Sequence, residues 1–86
     1  MSAIEDVISA LQVVVDQLSD AAAAGGTAAA ETDEAMRHAV ALGATHAVAE
    51  LTALKDGVTK VGEQVAGAVD AANELLARAQ AIAGNS

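Results

Sequence analysis

Apolar residues recur at alternating intervals of four and three through the second half of the chain. The unbroken series consists of Ala47, Leu51, Leu54, Val58, Val61, Val65, Ala68, Ala72, Leu75, Ala79 and Ile82. An average spacing of 3.5 residues sustained over this length predicts one long α-helix that packs against another helix as in a coiled coil. Val48, Val69 and Leu76 widen the apolar stripe.

The first part of the chain carries the same alternation. Ser2 and Glu5 have the spacing of a capping box, which indicates a helix start. Large apolar residues then follow at intervals of four and three: Ile4, Ile8, Leu11, Val15 and Leu18. Val7 and Val14 begin a flanking row at intervals of seven. Three apolar positions per heptad are typical of a helix in a bundle rather than of a two-stranded coiled coil.

Gly25-Gly26 interrupts an alanine-rich stretch, and its meaning depends on the register of the residues around it. Continued past Leu18, the alternation reaches Ala22, Gly25, Ala29, Thr32, Met36 and Ala39. The flanking row continues through Ala21, Ala28, Ala35 and Leu42. Because the register survives, we predict one helix that runs through the glycines, with or without a kink there. Its small side chains are expected to let a facing helix approach closely.

The register breaks at Gly43, which predicts the chain reversal. Gly43 can adopt the left-handed C-cap conformation, and Thr45 can cap the next helix. The expected fold is therefore all-α, a single domain over residues 1–86, folded as an antiparallel helical hairpin with arms of about 3–42 and 45–83. One alternative has three helices, near 3–24, 28–42 and 45–83, with a turn at 25–26 and with Thr27 and Thr32 as caps. Another has a further break at Lys55 to Gly57.

The composition predicts that the hairpin associates. The 86 residues include no aromatic residue, no cysteine and no proline. The core can therefore contain only aliphatic side chains, and each buried alanine removes little apolar surface from water. We predict a homodimer, or a heterodimer with a similar helical protein, that forms a four-helix bundle. The expected interface residues are Ile4, Ile8, Leu11, Val15, Leu18, Leu51, Leu54, Val58, Val61, Val65, Leu75 and Ile82.

The charge excludes several classes of partner. Twelve acidic residues against four basic ones give a net charge of −8, which disfavours nucleic acids and anionic membrane surfaces. The acidic N-terminus differs from that of a secretory signal peptide, and no uncharged apolar run approaches the length of a membrane span. We therefore expect no membrane span and a cytoplasmic location.

Two histidines near the predicted reversal are the candidates for a metal site. Glu34 and His38, and likewise His46 and Glu50, are four residues apart, so each pair could supply two metal ligands. The alternative is solvated helix charge, and the Glu-x-x-His pattern of di-iron bundles is absent. We expect no cofactor and no bound metal.

No catalytic motif occurs in the chain. A Gly-x-Ser-x-Gly elbow, a cysteine nucleophile, a P-loop and a dinucleotide-binding fingerprint are all missing from the sequence. We therefore expect no enzymatic activity and identify no small-molecule substrate.

An acidic chain of this length, with two helical arms and a glycine at the midpoint, resembles the small WXG-type proteins of ESX (type VII) secretion systems and similar alanine-rich actinobacterial proteins. Residues Ala41 to Gly43, with the sequence ALG, stand where the family has Trp-x-Gly, so only Gly43 matches. The resemblance implies a hairpin that dimerises into a four-helix bundle. The Tyr-x-x-x-acid secretion signal of the family is missing, because the chain has no tyrosine, so no motif supports secretion by a type VII-like route. The alternative function is an amphipathic, phasin-like protein that coats a lipid or polymer surface.

Overall fold

The computed structural model describes residues 2–85 and contains two long helices joined by a short turn. Helix α1 spans Ala3–Ala41 and helix α2 spans Thr45–Gly84, with no strand among the described residues. The two helices pack side by side as an antiparallel hairpin with extents of 65 × 15 × 13 Å. The all-α hairpin predicted from the sequence is confirmed, and the bounds of both arms are correct to within one residue.

The start of α1 confirms the predicted cap. Ser2 has an extended backbone, and its hydroxyl oxygen accepts a hydrogen bond of 3.3 Å from the Glu5 N–H. One of the unpaired donors of the first turn is thereby satisfied. Glu5 and Asp6 place negative charge at the positive end of the helix dipole.

The reversal lies at Gly43, as predicted, and is a Schellman turn. Gly43 has a φ of 68°, in the left-handed region that glycine adopts without steric cost. The Ala44 N–H donates to the Ala39 carbonyl and the Gly43 N–H to the Val40 carbonyl, both at 3.0 Å. These two bonds satisfy carbonyls that the end of α1 leaves without helical partners.

Thr45 does not cap α2, so the prediction that it caps the second helix is wrong. The Ala44 carbonyl accepts the first helical bond, from the Val48 N–H at 3.0 Å, so Ala44 occupies the N-cap position and Thr45 is already helical. Ala44 has no side-chain oxygen, and no side-chain cap bond is formed there.

Helix α1 continues without interruption through Gly25-Gly26, so the three-helix alternative is wrong. Thr27 and Thr32 lie inside the helix, where their hydroxyls donate to the Ala23 and Ala28 carbonyls at 3.2 and 2.8 Å. A threonine hydroxyl can make this bond to the preceding turn without ending the helix. The alternative break at Lys55 to Gly57 is also wrong, because α2 is continuous there.

The residues of α1 that face α2 follow the predicted register. They are Ile4, Ile8, Leu11, Val15, Leu18, Gly25, Ala29, Thr32, Met36 and Ala39, all half-buried or buried. Ala22, predicted for the same row, is exposed. Among residues 2–85, only Thr32, Ala39, Ala72 and Ala79 are buried. No large apolar side chain in this part of the chain is fully enclosed, because two helices alone cannot surround one.

The register of α2 differs from the prediction by a rotation of the helix. One row of α2 is common to the prediction and the structure, and we call it the shared row. It faces α1 and consists of Leu51, Val58, Val65, Ala72 and Ala79. The second inward row is Val48, Lys55, Gly62, Val69, Leu76 and Ala83, all half-buried. Leu54, Val61, Leu75 and Ile82, which were predicted to face inward, are instead 51–59% exposed. Apolar residues flank the shared row on both sides, so the spacing alone could not select the inward row.

We expect the double substitution Gly25→Ala, Gly26→Ala to stabilise the hairpin. A Cβ atom at either position would meet nothing within 4 Å, and alanine exceeds glycine in helix propensity by about 1 kcal/mol per residue. Urea denaturation followed by circular dichroism should show the gain. Gly43→Ala is the matched control and should cost about 1–2 kcal/mol, because its φ of 68° is unfavourable for an L-residue. A loss of helix content in the double variant would contradict the continuous helix.

Candidate functional site

The most distinctive surface of the hairpin is a long row of apolar side chains on one side, most of them exposed. We call this surface the apolar face. It comprises Val7, Val14, Ala21, Ala28, Ala35 and Leu42 from the first half of the chain, and Ala47, Leu54, Val61, Ala68, Leu75 and Ile82 from α2. All its large members are more than 40% exposed, and Leu42 reaches 83%.

The rows of the two helices lie on the same side of the hairpin. In each helix, the row of apolar-face residues points about 80° away from the partner helix, measured around the helix axis. The rotation has the same sense in both helices. Because the helices are antiparallel, equal offsets bring both rows to one side. A groove of about 650 Å³ confirms this arrangement, since Ala21 and Ala28 of α1 and Leu54 and Val61 of α2 all line it.

The opposite side of the hairpin is mainly polar, although Val40 is 63% exposed there. The positions that flank the inward residues there include Gln12, Ser19, Thr59, Asn73 and Gln80, all exposed. The hairpin is therefore amphipathic as a whole, with one apolar and one polar broad side.

An ion pair between the helices lies at the margin of this polar side. The Lys55 Nζ and Asp33 Oδ1 atoms are 2.5 Å apart, and both side chains are about 40% exposed. Asp33 stands four residues before Arg37, the spacing of an ion pair within one helix, but the structure pairs Asp33 with Lys55 across the two helices. A partly exposed pair of this kind contributes modestly to stability. It joins residues of α1 and α2 that lie side by side in the hairpin.

The shape of the chain leaves a large surface uncovered. The radius of gyration is 19.2 Å, compared with about 12 Å for a compact chain of 86 residues. The accessible surface is 5858 Å², whereas a compact monomer of 8.4 kDa exposes roughly 4,600 Å². The difference is of the order of the area that one partner loses in a standard protein interface, about 800 Å².

The close helix approach expected at Gly25 is not present. A Cβ atom added to Gly25 would meet nothing within 4 Å, so the small residues do not draw α2 inward. Instead, Ala21, Ala24, Gly25 and Ala28 line the groove, which remains open along the middle of the hairpin. Small side chains opposite one another leave space unless a third element fills it.

The predicted interface residues divide into two groups. One group lies between the two helices of the hairpin: Ile4, Ile8, Leu11, Val15, Leu18, Leu51, Val58 and Val65. The other group, Leu54, Val61, Leu75 and Ile82, lies on the apolar face. The spacing predicts both groups on one stripe, whereas Val7, Val14 and Leu42 belong to the flanking row at intervals of seven.

The candidate metal ligands do not converge. His46 Nε2 lies 2.9 Å from Glu50 Oε1 within the first turns of α2, and both side chains are largely exposed. Among residues 2–85, no group of three or more histidine, cysteine, aspartate or glutamate side chains could hold a metal ion. Glu34 and His38 therefore do not complete a site with the other pair.

Helix α1 is long and apolar enough, by length and composition alone, to cross a membrane. The prediction of no membrane span rested on the shortness of the uncharged runs, but one or two charged residues are compatible with such a span. Helices of soluble proteins can meet the same criterion, so it is weak evidence.

Comparison of the chain with protein-family models, with curated proteins and with solved structures found no match. The resemblance to WXG-type proteins therefore stays a prediction.

We expect the chain to bind zinc no more tightly than a His38→Ala, His46→Ala variant. The two histidine–glutamate pairs are exposed and separate, and two ligands from one helix hold zinc weakly. Isothermal titration calorimetry of zinc into both proteins checks this expectation. A saturable heat in the unmodified protein that the variant lacks would contradict it.

Proposed function

We propose that this chain is a non-enzymatic assembly protein that acts by pairing its apolar face with a similar helical hairpin, so that the functional unit is a four-helix bundle. The observation that carries the proposal is the continuous apolar face on one side of a hairpin whose opposite side is mainly polar. Contiguous exposed apolar surface of this extent is uncommon on soluble monomers and typically marks an interaction site.

The dimensions of the hairpin support a partner of similar length. A side 65 Å long and 15 Å wide has an area of roughly 1,000 Å², which is close to the ~800 Å² that each partner contributes to a standard interface. A globular partner would cover only part of such a surface, whereas another hairpin would cover all of it. The aliphatic side chains of the face also suit helix-to-helix packing.

The apolar face could instead lie on a lipid or polymer surface, as in the phasin-like alternative. The apolar character of α1 favours this second candidate. The absence of tryptophan and phenylalanine, the usual anchors in a membrane interface, counts against it. Co-sedimentation with zwitterionic and anionic vesicles separates the two functions, because an assembly protein should stay in the supernatant.

Multi-angle light scattering on the purified protein tests the assembly function directly. We expect a mass of at least two chains at micromolar concentration. A well-folded monomer under these conditions would contradict the proposal.

We expect Val61→Glu to weaken association by at least tenfold while leaving the helix content unchanged. The substitution places a carboxylate in the middle of the apolar face, where association would bury it without a partner. Val13→Glu is a closely matched control, because Val13 is 54% exposed and Val61 is 57% exposed, but Val13 lies away from the apolar face. Sedimentation equilibrium gives the dissociation constants, and equal effects of the two substitutions would contradict the assignment of the face.

A further inference from the structure

We propose that the apolar face binds the same face of a second copy of this chain in antiparallel orientation, with the two-fold axis crossing the hairpin at its middle, near Ala24 and Gly25. This inference rests on the proposed function and specifies its partner and geometry. It follows from the area of the face, from the distribution of side-chain size along it, and from the charges at its margin.

Two face-to-face arrangements are compatible with two-fold symmetry. In the parallel arrangement the turns of both copies lie at the same end, and α1 of one copy covers α2 of the other. In the antiparallel arrangement the turns lie at opposite ends, and each helix covers its own counterpart. The sequence of the face distinguishes the two.

The size of the side chains favours the antiparallel arrangement. Far from the turn, the apolar face carries large residues, among them Val7, Val14, Leu75 and Ile82. Near the middle of the hairpin it carries Ala21 and Ala68, which lie side by side. Parallel pairing would stack four alanines in one layer next to layers of large side chains, which leaves a void. Antiparallel pairing places large side chains next to small ones. Val14 then lies opposite Ala35 of the second copy, and Leu75 lies opposite Leu54.

The charges at the margin of the face agree with this arrangement. Glu50 and Arg78 belong to one row of α2, at intervals of seven that also include Gly57, Gln64 and Ala71. Antiparallel pairing about the middle of α2 brings Glu50 of each copy opposite Arg78 of the other. Both side chains are largely exposed, and their present partners are on their own helix: Glu50 contacts His46, and Arg78 contacts Glu74. They are therefore available for an interchain ion pair.

The corresponding row of α1 brings no like charges together. In antiparallel pairing Glu31 meets Gln17 of the second copy, His38 meets Ala10, and Ala24 meets itself at the axis. Parallel pairing would instead place His38 opposite Glu50 and leave Arg78 opposite Ala10. The arginine, which is always charged, gains an interchain partner only in the antiparallel dimer.

Distances between spin labels test the orientation. The chain has no cysteine, so Ser9→Cys and Ala23→Cys each introduce one label, and both positions are exposed on the side of α1 away from the apolar face. At a rise of 1.5 Å per residue, antiparallel pairing separates the Ser9 labels by about 50 Å, whereas parallel pairing separates them by about 25 Å. The Ala23 label lies close to the proposed axis and should give about 25 Å in either dimer.

A long Ser9 distance together with a short Ala23 distance supports the inference. Short distances at both positions would overturn the antiparallel orientation and leave the proposed assembly function intact. The absence of any interchain distance, with a monomer mass by light scattering, would overturn both.

Charge reversal provides a second test that does not depend on labels. We expect Glu50→Arg and Arg78→Glu each to raise the dissociation constant about tenfold, because each reversal creates two like-charged pairs per dimer. The double variant restores both pairs in the antiparallel dimer and should recover most of the affinity at low salt. Glu63→Arg is the control, since Glu63 is exposed outside this row. Additive losses in the double variant would overturn the pairing of Glu50 with Arg78.

Discussion

The structure depends on a geometric limit: a helix packed against a single partner can bury only one narrow stripe of its surface. Each helix of this chain carries an apolar stripe wider than that. The hairpin buries part of each stripe between α1 and α2 and leaves the remainder on one side. No large side chain becomes fully enclosed among residues 2–85, and the four buried residues are three alanines and a threonine. Stability gained from burial within one hairpin is correspondingly small.

The same limit explains the elongated form. Because the chain has no aromatic side chain, a third element folded onto this hairpin would have few large apolar groups to pack against. The chain instead extends both helices to nearly 40 residues and gains contact along their length. Helices of this length need tertiary support where glycines interrupt them. A second hairpin on the apolar face would supply further support along their whole length.

The small residues in the middle of the chain take on a different meaning in the structure. Within the hairpin, Gly25 and its alanine neighbours provide no close helix contact, and they line an open groove instead. On the proposed antiparallel dimer, these residues surround the two-fold axis, where α1 meets its own counterpart. Small side chains at such a position allow two backbones to approach each other. Within the hairpin they do not bring α2 closer to α1.

The sequence by itself determined the all-α class, the helix bounds, the passage of α1 through Gly25-Gly26 and the reversal at Gly43. These features are set by local chemistry and by spacing, since register and capping are properties of neighbouring residues. Only the tertiary structure decided which flank of the shared row Leu51, Val58 and Val65 faces α1. Val69 and Leu76 on one flank and Val61 and Leu75 on the other are similarly apolar, so periodicity cannot choose between them. The rotation of α2, and with it the location of the apolar face, depends on how the two helices pack against each other.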